Sequence, residues 1–91
     1  MTNIITLKDS ENTITLAGDL CSMEGNSAII LPIGDDTPIV IDDVDTVLCE
    51  TVDEDDERLD GALQLTAEIG YRQTCMTAAR MDVAYAYATF K

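Results

Sequence analysis

The chain has no histidine and no tryptophan, one phenylalanine, two prolines and only five basic residues. Each scarcity removes a class of function. Without histidine, a nucleophile such as Ser22, Cys21 or Cys49 has no ordinary general base. With one Phe and three Tyr, there is little to build the aromatic platforms that glycosidase-like carboxylate pairs usually need. The five glycines form no phosphate-cradling loop of Walker or Rossmann type. The sequence therefore points away from an enzyme, and no cofactor is expected.

Cysteine is sparse as well. Cys21, Cys49 and Cys75 are an odd number, and no two are spaced as a zinc couple. Buried free thiols in a reducing compartment are the expectation. The longest uncharged apolar-rich run, residues 27–34, is far too short to span a bilayer. The N-terminal residues show no basic region followed by an apolar core of the secretory kind. A cytoplasmic protein is expected, in the host cytoplasm if the gene is phage-borne.

What the chain does have is aliphatic residues and carboxylates. Its 91 residues, 46% hydrophobic, suit one domain spanning 1–91 with a core of Ile, Leu, Val, Ala and Met. Residues 3–8 (NIITLK) and 12–17 (NTITLA) alternate apolar and polar about the turn-forming Asp9 to Asn12, which predicts a β-hairpin. Residues 27–33 and 38–41 flank a Gly-Asp-Asp loop and predict a second hairpin. Pro32 and Pro38 belong at strand ends, because proline cannot donate to a ladder. Residues 44–52 predict a fifth strand, completing a β-hairpin region over 1–52.

From Glu57 onward there is no proline, and Ala, Leu, Met, Gln and Arg dominate. This predicts a helical region over 54–90, started by the acidic run Asp53 to Glu57 with an Asp cap. Leu59, Ala62, Leu63, Ile69, Met76, Val83, Tyr87 and Phe90 supply helical spacings. Gly70 is expected to divide the region into helices near 55–69 and 72–89. The second helix is apolar around most of its girth, so it is either central in the core or a homodimer seam through Tyr85, Tyr87 and Phe90. The fold class is α+β: an antiparallel sheet of four to five strands, in two hairpins, packed against one or two C-terminal helices.

The acidic segment, residues 35–60, dominates the electrostatics. It carries twelve carboxylates against one cation, Arg58, and so holds −11 of a formal net charge of −13. Such a charge excludes direct binding of nucleic acid or an anionic membrane and favours a basic protein partner. Asp43-Val44-Asp45 and Asp53-Glu54-Asp55 each begin like a calcium loop. The glycine that such a loop needs at its sixth position is Leu48 in one and Arg58 in the other, so no metal site is expected.

Strand and helix spacings of about 5–7 Å hold carboxylates at separations comparable to phosphates on a nucleic acid strand. Asp43 and Asp45 are expected on one strand face, and Asp53, Asp56, Glu57 and Asp60 on one helix face. The expected docking charges are Asp42, Asp43, Asp45, Asp53, Glu54, Asp55, Asp56, Glu57 and Asp60.

In size, acidity and α+β pattern the chain resembles the small inhibitors that phages and mobile elements raise against nucleases, the anti-restriction and anti-CRISPR proteins. That likeness implies non-catalytic inhibition by DNA mimicry of a nucleic-acid-binding or nuclease complex. The same features are shared with immunity proteins and antitoxins that neutralise nuclease toxins. Two further readings stay open: a structural homodimer whose charge serves only solubility, and adaptation to salt, since Asp outnumbers Glu twelve to six and Lys occurs twice.

Overall fold

A computed structural model describes residues 1–73 and 79–89. Five antiparallel strands run as β1 (Thr2–Lys8), β2 (Thr13–Glu24), β3 (Ser27–Pro32), β4 (Ile39–Asp42) and β5 (Thr46–Val52). Two helices follow, α1 (Glu57–Gln73) and α2 (Met81–Thr89). The two-residue β6 (Ala79–Arg80) lies just before α2 and pairs in parallel with β4. The strand order is β5-β1-β2-β3-β4-β6. This is the α+β fold expected, with both predicted hairpins in place and a further hairpin joining β2 to β3.

Asp9 builds the first turn. Its carboxylate accepts the amides of Glu11 (2.8 Å) and Asn12 (2.6 Å), which holds its pKa below the ordinary carboxylate value. β2 runs past the arm predicted over 12–17 and reaches Glu24, with a register shift between Leu20 and Ser22. Its first half pairs with β1 and its second half with β3. At the changeover, Gly18 has φ +151°, and a Cβ there would collide with the Leu31 carbonyl. The Ala17 amide at that point donates to Thr66 Oγ1 on α1 (2.8 Å), while the Thr66 hydroxyl donates to the Ala62 carbonyl (2.6 Å). The helix thus satisfies a donor where the strand changes partners.

The link from β4 to β5 requires the sheet to curl. Laid flat, five strands put their outer members about 19 Å apart. Only Asp43, Val44 and Asp45 join the ends of β4 and β5, and four Cα steps reach at most about 14 Å. The bent β2 removes the discrepancy. The Val44 amide donates to the Asn26 carbonyl (2.9 Å) and the Asp45 amide to the Lys8 carbonyl (2.8 Å), tying the two halves together across a buried Val44 side chain.

Ile5, Leu7, Ile14, Leu16, Ile30, Ile39 and Ile41 form the main core with Leu65, Ile69, Met81 and Ala84 from the helices. Ile4, Ala17 and Val52 meet Leu59 and Ala62 in a second cluster. Leu63, expected on the packed stripe, is 38% exposed, because the buried positions of α1 are Leu59, Ala62, Leu65, Thr66 and Ile69.

Three expectations are corrected. α1 runs straight through Gly70 to Gln73, where the Gln73 amide clasps Val40, accepting its N–H (3.0 Å) and donating to its carbonyl (2.7 Å). The buried Ile69 and this clasp outweigh the roughly 1 kcal/mol cost of a helical glycine. Cys21 and Cys49 are exposed. The first lies at the register shift on the far half of β2 and the second on the outer strand β5. Cys75 lies outside the described residues. Val44 and Asp45 precede β5, which starts at Thr46.

Candidate functional site

The acidic segment takes its densest form where β5 hands over to α1. Val52 ends the strand, and the Asp56 amide donates to the Asp53 carbonyl (3.0 Å), closing a turn. Asp56 then caps the helix: its carboxylate accepts the Arg58 amide at 2.9 Å, satisfying a donor that the helix itself leaves open. Acidic residues collect here because the helix start carries partial positive charge.

Arg58 is held from two sides. Its Nε is 3.2 Å from Asp56 Oδ1, and its Nη1 is 3.0 Å from Glu50 Oε2. The guanidinium beside Asp56 holds that carboxyl below its ordinary range, helped by the Arg58 amide. The Met1 amine donates to Glu54 Oε1 at 2.8 Å and lowers the Glu54 carboxyl in the same way. Asp53 attracts that amine from further off.

Asp55, Glu57 and Asp60 have no hydrogen-bonded cation among the described residues. Counted together, Asp53 to Asp60 hold six carboxylates and one guanidinium. Only Glu57 and Asp60 share a helix face. Asp53 and Asp56 belong to the turn and the cap, because the helix begins one residue after Asp56.

A second group, Asp42, Asp43 and Asp45, lies at the other end of β5. Asp42 accepts the Ser27 hydroxyl at 2.6 Å. Asp43 has φ 65°, a left-handed conformation that Asp tolerates better than most residues. Asp43 and Asp45 therefore sit in the crossover and do not share a strand face. Six residue steps of β5 separate the two groups, about 20 Å, in a molecule whose longest dimension is 31 Å. The nine expected docking carboxylates thus form two patches joined by one strand. Asp35 and Asp36 lie elsewhere, in the β3–β4 turn.

Two of the aromatic residues expected at a dimer seam are described. Tyr87 packs partly buried on the core, with the Arg72 guanidinium 4.5 Å over its ring. Tyr85 is 39% exposed, and Phe90 lies outside the described residues. A groove of about 450 Å³ runs between α1 and β2. Its charged lining groups are Arg58 and Glu68, already paired with Glu50 and Asp56 and with Arg72 respectively.

No known family, curated protein or solved structure matches the chain.

Sequence reasoning predicted β5 but not its place at the edge of the sheet. Among the described residues it pairs only with β1, and it exposes Leu48 (55%) and Cys49 between the two acidic patches. Its residues carry a partial signal, a run free of Pro and Lys with acid at both ends. Which strand lies outermost depends on the long-range β1–β5 pairing, and local alternation carries no trace of that.

Proposed function

We propose that this protein is a small, acidic, non-catalytic inhibitor that binds a basic nucleic-acid-binding protein, a nuclease complex of the restriction or CRISPR type, by presenting carboxylates where phosphates would lie. The supporting observation is the Asp53–Asp60 patch: carboxylates set on a capped helix start, with Asp55, Glu57 and Asp60 not hydrogen-bonded to any cation among the described residues. Carboxylates held in place before contact lose little entropy on binding and steer a cationic partner into fast, salt-sensitive association. The inhibitor acts in the cytoplasm, where such complexes work, and turns nothing over.

The test is capture from a lysate of the source cell at low and at high salt. The comparison variant carries Asp53→Asn, Asp55→Asn, Glu57→Gln and Asp60→Asn, which leaves the Asp56 cap and Arg58 untouched. The native chain is expected to retain a nucleic-acid-binding protein at low salt and to release it to duplex DNA, while the variant retains none. Capture by both proteins alike, or a captured protein indifferent to DNA, sinks the mimicry.

One observation favours a second reading, an immunity protein or antitoxin set against a nuclease toxin. Leu48 is exposed two residues from Glu50, giving the mixed apolar and acidic footprint of a narrower, toxin-shaped contact.

A further inference from the structure

The two sides of the sheet are finished differently. On the β4 side, the Val40 backbone is clasped by Gln73, and Ile41 and Asp42 pair with β6. Free strand edges invite pairing with other chains, and proteins commonly cover them. On the β5 side nothing comparable occurs. Among the described residues β5 pairs only with β1, and no turn or loop hydrogen bond reaches its outer groups. In an antiparallel pair roughly every second residue turns its amide and carbonyl away from its partner, so β5 offers a ladder without a mate. The strand contains no proline and no lysine, the usual devices that blunt such an edge.

Charge says what kind of chain fits. The edge is about 20 Å long and has carboxylates at both ends, Asp43 and Asp45 before it and Asp53 and Asp55 after it. Between them Leu48 and Cys49 are exposed. A second copy of this chain is a poor mate. Antiparallel pairing of two β5 strands would set the acidic start of one against the acidic end of the other, and like charges directly opposite one another destabilise a sheet.

We infer that β5 is a strand-addition site, and that its occupant is an extended segment of the partner protein with basic residues at both ends and β-branched residues between. Backbone pairing supplies affinity in this mode and the side chains supply selectivity. The inference rests on the proposed inhibitory reading and specifies how the cationic partner is held. The two acidic patches become the two ends of one docking site.

The probe is the peptide Lys-Arg-Val-Thr-Val-Thr-Val-Arg-Lys. Its control, Lys-Arg-Val-Pro-Gly-Pro-Val-Arg-Lys, has the same charge but cannot form a ladder. Affinity for the native full chain is measured by calorimetry at low salt, and amide hydrogen exchange over residues 46–52 with and without peptide. The expected result is at least tenfold tighter binding of the first peptide, with exchange slowed in β5. Equal affinity for the two peptides overturns strand addition and leaves acidic docking standing, since charge alone would then explain both. Failure of both to bind also overturns the inference, while the DNA-competition capture still judges the inhibitory reading separately. Exchange in β5 that slows with protein concentration in the absence of peptide would assign the edge to a second copy and overturn the inference as well.

Discussion

Three glycines that look alike in sequence have opposite value in the fold. Gly18 sits where β2 changes partners, with φ +151° and the Leu31 carbonyl in the path of any Cβ. Gly18→Ala is expected to cost about 1–3 kcal/mol or more through strain and displacement of β3. Gly61 and Gly70 stand in α1 with open space for 4 Å around the point a Cβ would occupy, so Gly61→Ala or Gly70→Ala should each add about 0.5–1 kcal/mol. Urea unfolding of the three variants checks both signs. Asp56 is the other residue with a distinct task. Its carboxyl is lowered in the folded chain, first by the Arg58 guanidinium and then by the Arg58 amide. A lowered carboxyl stabilises the fold above its unfolded pKa, and that contribution is lost as pH falls through the folded value. Asp56→Asn should therefore melt lower than the native chain at neutral pH, with the gap narrowing below about pH 4. Thermal melts across that range measure it. Sequence alone showed that an Asp would cap the helix. It could not show which Asp, because the turn from Asp53 to Asp56 decides the phase.

Among the elements, the helix is tied to the sheet by Thr66 more than its sequence suggests. The Thr66 hydroxyl is buried, accepting from Ala17 and donating to Ala62. Thr66→Val keeps the shape and removes both bonds, leaving the Ala17 amide without its partner. The expected cost is about 1–3 kcal/mol, with Thr66→Ser close to native; chemical denaturation of the pair checks this. Nothing in the string QLTAEI marks that threonine, since its partner lies 49 residues away. The hairpins were legible because Ile5, Leu7, Ile14 and Leu16 alternate cleanly, and alternation is a local signal. The helix break was misplaced because glycine propensity is worth about 1 kcal/mol, less than the contacts of Ile69 and Gln73. Cys21 was expected inside because the bend of β2 appears in no local pattern.

For the whole molecule, the spacing of the acidic patches sets how they act. Their separation of about 20 Å lies within the screening length at 0.01 M salt, about 30 Å, and well outside it at 0.15 M, about 8 Å. At cellular ionic strength each patch draws its own cation, while in dilute buffer they act as one field. The acidity was plain in the sequence, but its division was not, because it follows from a strand running between the two patches. That same strand governs how the chain reaches its native form. Successive hairpins join β1 through β4, but β5 must return to β1 across a gap of 38 residues at its nearest pair, Lys8 and Thr46. Closing so long a loop is costly until the final contacts repay it. Of the five antiparallel strands, β5 is accordingly expected to dock last and to leave first. Val47→Ala should speed unfolding and leave the refolding rate nearly unchanged, a φ-value near zero in stopped-flow chevrons. The strand proposed to receive a partner is thus also the one the chain is expected to hold by its latest-formed contacts.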